Sequence, residues 1–354
     1  MRRTSFFAAV AVALAALFTG PRAGAQAQDA AELTAALAID TWHHELTDDI
    51  TITFTLTNTG AGSAHVLRWQ TPLAGIEADI FAVTVDGEPV PYVGRLIKRA
   101  APEAEDWVEL GPGQSVSATF DLSSAYDLTR GGEYAVRYRT ELQAADDVEP
   151  PESPGDGEEA SENRLESNEV RMWVEGGNPT PVPEVEPDYF GGTTNCTNTQ
   201  KSKLATALTN ATSMSTKAYN QLVSPGNSAL YRTWFGAYTS ARLATVKSHF
   251  SAIKTALASK PITFDCGCTG NYYAYVYPTQ PYKIYVCKAF WTAPATGRDS
   301  RAGTVVHEVS HFNVVAKTQD YVYGAAAAKN LALTSPTKAV KNADNHEYFA
   351  EDQP

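Results

Sequence analysis

A proline-rich stretch near the middle of the chain limits what it can fold into more than any other feature. Residues 176–191 carry Pro179, Pro181, Pro183 and Pro187. Proline fixes φ and removes a backbone donor, so neither a helix nor a central strand runs through such spacing. The segment is expected to be an extended linker open to proteolysis. A length of 354 residues is in any case long for a single core. The two sides also differ in charge. Residues 191–354 hold 8 acidic and 16 basic side chains, a net of +8, and residues 1–190 hold the remaining 32 acids and 12 bases, a net of −20. These are either two unrelated surfaces or a pro-segment matched in charge to the domain it covers. The basic residues of the back half are scattered, so no nucleic-acid partner is expected.

The front half reads as exported β structure. Arg2 and Arg3 precede an apolar run over residues 6–18, and small-residue sites follow at Ala23-Gly24-Ala25 and Ala25-Gln26-Ala27. That pattern is a secretory signal peptide over residues 1–27, so the protein is expected to be extracellular. No later stretch is apolar enough to span a membrane, and no membrane partner is expected. Residues 50–56 alternate Ile, Thr, Phe and Leu cleanly. Further strands are expected at 80–85, 115–122, 134–139 and 169–174, with turns at Asp86-Gly87 and Gly111-Pro112-Gly113 between them. Short strands with regular turn signals predict an all-β, sandwich-like domain over residues 28–175. The acidic insert 146–162 is expected to be a disordered loop.

Residues 192–354 change period. Helices are expected at 201–222, 241–258, 302–315 and 323–333, with a strand pair at 272–277 and 282–287, giving a mainly α (α+β) domain. The four cysteines, Cys196, Cys266, Cys268 and Cys287, all lie here. An even count in an exported chain suggests two disulfides. Cys266 and Cys268 are too close to pair easily, which leaves two connectivities open.

One motif carries chemistry. His307-Glu308-Val309-Ser310-His311 is H-E-x-x-H. Residues four apart share a helix face, so both imidazoles can reach one zinc ion, with Glu308 beside them as a base. His44-Glu45 is no second copy, because Asp48 stands where the motif needs His. A catalytic zinc needs a third protein ligand and an open position. No third His follows at the metzincin spacing. Asp320, nine residues after His311, is the next candidate, although an Asp there suits a turn or helix cap equally well.

His307-Glu308-x-x-His311-Phe312 followed by Thr318-x-Asp320-Tyr321-x-Tyr323-Gly324 resembles the aspzincin metalloproteases of the deuterolysin family, and within it the peptidyl-Lys metalloendopeptidases. Tyr231-x-Thr233-Trp234-Phe235-Gly236, Ala274-Tyr275-Val276-Tyr277-Pro278, Ala289-Phe290-Trp291, Gly303-Thr304 and the run from Asn342 to Phe349 are similar to the same subgroup, over about residue 192 to the end. The resemblance implies a zincin-type catalytic domain; the β domain before it lies outside the resemblance and is expected to be a pro-domain on its opposite charge. The resemblance also implies one zinc held by His307, His311 and Asp320, with Glu308 as general base. Tyr323 would be the hydrogen-bond donor to the oxyanion. It implies the disulfides Cys196–Cys266 and Cys268–Cys287. Asp344 and Glu347 would line an S1′ pocket that selects lysine, the substrates being proteins or peptides with lysine at P1′. Without the resemblance, these two acids would be read as a solvated helix face. Competing expectations are a protease of broader selectivity and a non-catalytic secreted binding protein. Intact Glu308, Asp320 and Tyr323 count against the second. No lysine occurs between Lys98 and Lys201. A strictly lysine-directed enzyme therefore cannot cut its own linker, and maturation is expected to need another protease or less selective self-cleavage.

Overall fold

The computed structural model describes residues 32–45, 49–143, 164–175 and 191–354. The expected signal peptide, the acidic insert and all but the last residue of the proline-rich linker lie outside them. In chain order the strands are β1 (Leu33–Ile39), β2 (His43–His44), β3 (Thr51–Asn58), β4 (Ala64–Leu67), β5 (Phe81–Val85), β6 (Glu88–Pro89), β7 (Leu96–Lys98), β8 (Trp107–Leu110), β9 (Ser115–Asp121), β10 (Gly132–Glu141), β11 (Arg164–Val174), β12 (Thr193–Thr194), β13 (Thr263–Asp265), β14 (Ala274–Val276) and β15 (Lys283–Val286). The helices are α1 (Asn198–Val223), α2 (Ala229–Phe235), α3 (Ser240–Ser259), α4 (Lys288–Thr292), α5 (Arg301–His311), α6 (Ala325–Thr334), α7 (Pro336–Ala339) and α8 (Ala343–Glu351).

The front half is strand-rich, as its alternation predicts. Its main sheet runs β6-β5-β10-β11-β1-β3-β9, with β2 beside β11, and β4 pairs with β8 separately. In β3, Ile52, Phe54 and Leu56 are fully buried. Burying each such side chain is worth about 1.5–3 kcal/mol. The outward face carries Thr55 and Thr57, whose hydroxyls meet Ser117 and Ser115 of β9 at 2.9 and 2.8 Å, a cross-strand pairing that reinforces the register. Strand β1 was not anticipated. Its sequence, LTAALAI, is rich in residues of low β propensity. It forms because it fills the gap between β3, antiparallel, and β11, parallel.

The back half is mainly helical and has its own core, separate from that of the front sheet. Helix α1 starts at a capping box in which Thr197 and Gln200 satisfy each other's backbone N–H. Disulfides join Cys196 to Cys266 and Cys268 to Cys287, the pairing that the resemblance implies. Helix α5 packs against α1, α3 and α8. A Cβ on Gly303 would collide with the Glu351 carboxylate and lie 3.0 Å from Glu347 Cγ, so any side chain here would push these two α8 side chains aside. The helix expected over 302–315 ends at His311, with Phe312 as its cap. Its apolar period continues past His311, but the chain turns back there. Lys317 takes a left-handed φ of 53°, which returns Asp320 towards the histidines.

A five-stranded sheet, β12-β13-β15-β14-β7, joins the two halves. Four strands come from the back half. The fifth, β7, comes from the front half and pairs antiparallel with β14, in the register Lys98 to Ala274, Ile97 to Tyr275 and Leu96 to Val276. Without β7, β14 would be an edge strand with open backbone groups, a natural place for an extended peptide to add.

Candidate active site

Helix α5 is capped by Ser300, whose hydroxyl accepts from the Gly303 N–H at 2.9 Å. Every residue from Ala302 to His311 is buried. The four-residue spacing brings the His307 and His311 rings to 4.7 Å between centroids. Asp320 arrives from the following loop. Its carboxylate lies 3.2 Å from His307 Nε2 and 3.4 Å from His311 Nε2. None of these nitrogen and oxygen atoms has a hydrogen-bond partner of normal geometry, although all are buried. Orphaned buried polar atoms are costly unless something binds them. Two tetrahedral ligands, each about 2.0–2.1 Å from a zinc ion, stand about 3.3 Å apart, so the observed separations fit a metal ion. Among the described residues His307, His311 and Asp320 form one set that could hold it; His307 with Asp344 and Glu347 forms a second, in which Lys98 occupies the space between the acids.

The second ring nitrogen of His311 settles its tautomer. His311 Nδ1 donates to the Thr318 carbonyl at 2.9 Å, since a carbonyl only accepts. Its Nε2 is thereby left bare for a metal. His307 Nδ1 lies 3.0 Å from Asp344 Oδ1 and 3.2 Å from Glu347 Oε2. The expected pocket acids thus also stand behind one of the expected ligands. Burial lifts Asp320, but the two imidazoles outweigh it and hold its carboxyl well below the usual range. Burial pushes Glu308 well above the usual carboxylate range, with His307 acting in the opposite sense.

The loop that carries Asp320 is fastened by Asn342, a role the sequence reading missed. Asn342 Oδ1 accepts from the Tyr321 N–H at 2.8 Å. Gln319 N–H donates to the Lys341 carbonyl, and Ala343 N–H donates to the Gln319 carbonyl. The Asp320 segment is therefore stitched to the start of α8. Tyr323 follows on this loop, and its ring meets Trp69 of the front half edge-on at 5.7 Å. Burial and the neighbouring Asp320 carboxylate push its phenol well above the ordinary tyrosine value.

Helix α8 is buried from Ala343 to Ala350, so Asp344 and Glu347 do not form a solvated face. Lys98, the last residue of β7, occupies the space between them. Its Nζ lies 2.9 Å from Asp344 Oδ1 and 2.9 Å from Glu347 Oε2, and all three side chains are fully buried. Burial alone would lower the lysine pKa, but Asp344 and Glu347 outweigh it and raise it well above normal. Strand β7 packs against α5, and the Lys98 backbone opposes the upward shift that burial gives the Glu308 carboxylate. Arg99 and Arg95 on either side of β7 both pair with Glu77 of the front half, at 2.7 and 3.6 Å. Lys98 is also the only lysine among residues 1–200. Nothing in the local pattern of its three-residue strand signals this placement.

Comparison with known proteins agrees with the motif. Residues 220–351 match the aspzincin family model, described as lysine-specific metallo-endopeptidase. An extracellular protease of Aeromonas hydrophila is 46% identical over 318 residues, which cover 87% of this chain and 89% of that protein. A peptidyl-Lys metalloendopeptidase of Grifola frondosa is 36% identical over 317 residues, 87% of this chain and 89% of its own. Among solved structures, a zinc peptidase from Grifola frondosa is 46% identical over 45% of this chain and 98% of its own, with a TM-score of 0.43. Among the described residues no helix is long and apolar enough to cross a membrane. Identity at this level over most of both sequences, together with the motif, decides the assignment: the chain belongs to the aspzincin family of zinc metalloendopeptidases.

Proposed function

We propose that the protein is secreted as a precursor and, once matured, cleaves peptide bonds on the amino side of lysine. Its front β region, sandwich-like in its strand pattern, is the pro-domain and covers the site until it is removed. The observation that carries this reading is Lys98. An extended segment adds antiparallel to β14, seats a lysine ammonium between Asp344 and Glu347, and brings that lysine's backbone beside the helix that carries Glu308. A substrate with lysine at P1′ needs the same three placements. The pro-domain thus resembles a bound substrate, and the charge difference between the halves favours its docking.

His307, His311 and Asp320 would hold the zinc, which when bound would supply Lewis acidity to the scissile carbonyl and the attacking water. Glu308 takes the proton from that water and passes it to the departing amine. Its high pKa without a metal comes from burial, so it keeps a transferred proton readily. Tyr323, held protonated, donates to the developing oxyanion. Asp344 and Glu347 neutralise the P1′ ammonium. They also orient the His307 ring through Nδ1, so the pocket and the metal site share two carboxylates. Because Lys98 is the sole lysine before residue 201, removal of the pro-domain through the linker falls to another protease or to less selective self-cleavage.

The test is mass spectrometry of a lysine-containing protein digested by the matured enzyme, with and without a zinc chelator. Cuts that vanish with chelator and fall before lysine are expected. Chelator-sensitive cuts at mixed residues would overturn the lysine assignment while leaving the zinc peptidase intact.

A further inference from the structure

The Lys98 ammonium has a third acidic neighbour that neither the motif nor the family comparison singles out. Asp299 Oδ1 lies 3.4 Å from Lys98 Nζ. An ammonium has three N–H donors, and a fully buried one needs a partner for each. Asp344 and Asp299 accept hydrogen bonds from it, and Glu347 Oε2 faces it as an ion pair at 2.9 Å, so three carboxylates surround the ammonium. The faces of Tyr348 and Tyr273 close the remaining sides, with ring centroids 5.2 and 5.8 Å from Nζ.

Asp299 is built into position. It sits just before the α5 cap Ser300, with a left-handed φ of 49°. Its backbone N–H donates to Glu351 Oε2 at 3.1 Å. Its Oδ1 accepts from the Tyr348 hydroxyl at 2.8 Å. Its side chain is 32% exposed, so it is no core residue locked in by packing. Helix α8 nevertheless fixes it twice, Tyr348 holding the carboxylate and Glu351 the backbone.

We propose that Asp299, braced by Tyr348 and Glu351, is the third reader of the P1′ lysine and helps the pocket prefer ammonium over guanidinium. The inference rests on the reading of Lys98 as a substrate stand-in. Three carboxylates converging on one point match a compact tetrahedral cation. A planar fork of five donors cannot satisfy the same arrangement. The longer contact and partial exposure make Asp299 the weakest of the three, so its loss reduces selectivity without abolishing it.

The full chain carrying Asp299→Asn is secreted, matured and loaded with zinc, then assayed on peptides differing only in lysine, arginine or norleucine at P1′. Asparagine tolerates the left-handed backbone and keeps an acceptor for Tyr348. The lysine peptide is expected to lose about tenfold in kcat/KM, mostly through KM as for a lost binding contact, with the other two little changed. An equal fall on all three peptides would show that Asp299 only supports α5, and would overturn the proposal. Unchanged lysine preference in the variant, with a lysine-preferring wild type, would overturn it alone. A wild type with no lysine preference would overturn the pocket reading as well. Should Asp299→Asn fail to mature, Tyr348→Phe, which frees the Asp299 carboxylate from its brace, takes its place with the same expected loss of lysine-over-arginine preference, and an unchanged ratio overturns the proposal.

Discussion

Replacing Lys98 with methionine in the unprocessed chain removes the ammonium from the pocket while keeping a side chain of similar length. In the covered state, Asp344 and Glu347 then stay fully buried with no lysine between them. Removing one partner of a buried ion pair costs about 3–5 kcal/mol. When the front half lifts away, the same carboxylates meet water and the penalty disappears. The cost therefore falls on the covered state alone, and the open fraction of the precursor should rise on the order of 10²- to 10⁴-fold, until it saturates. The β7–β14 backbone pairing, the Glu77 ion pairs and the Trp69–Tyr323 contact remain, so the front half stays folded and loosely docked. The assay is hydrolysis of a short lysine-containing fluorogenic peptide by unprocessed protein, with chain integrity checked by mass spectrometry. A Lys98→Met precursor as silent as the wild type, and fully active after maturation, would show that backbone pairing and surface cover maintain latency and that the ammonium does not.

Other outcomes follow from the same geometry. Glu308→Gln should lower turnover of the matured enzyme at least 10²- to 10⁴-fold and leave zinc content near one per chain; appreciable activity would move the base elsewhere. Glu347→Gln weakens the support of His307 Nδ1, and zinc affinity should fall about 10- to 100-fold; competition with a chelating dye measures this, and an unchanged affinity would limit Glu347 to the substrate pocket. His346 Nδ1 donates to the Asn342 carbonyl, and its Nε2 meets His249 Nδ1 at 3.0 Å. Burial depresses both rings, His346 to about 3, helped by the His249 charge, and His249 to about 4, helped by Lys341. A histidine held neutral in the fold contributes stability that is full above its unfolded pKa of about 6.5 and is lost as pH falls below it, by up to about 1.4 kcal/mol per pH unit per ring. Urea unfolding of the zinc-free protein between pH 7 and pH 4.5 should therefore show a shallower loss in His346→Gln than in wild type, and equal slopes would mean that the pair does not titrate on unfolding.

The sequence by itself determined what local chemistry and short periods control. The alternation at residues 50–56 made a buried strand, because adjacent side chains point to opposite faces and only one face meets a core. The spacing of His307 and His311 placed both rings on one helical face whatever the rest of the fold did. The change of composition across the proline-rich stretch separated a strand-rich front from a helical back. Tertiary packing decided the remainder. Helix α5 ends four residues before its apolar period does, because Asp320 must return to the histidines. Asp344 and Glu347 read equally well as solvated until α8 is seen buried against α5, since burial of a carboxylate depends on what packs over it. Strand β7 is three residues long and has no period to detect. Lys98 and Asp299 therefore join the pocket only through contacts that span more than 40 residues of chain, and such long-range closures leave no local pattern in a single sequence.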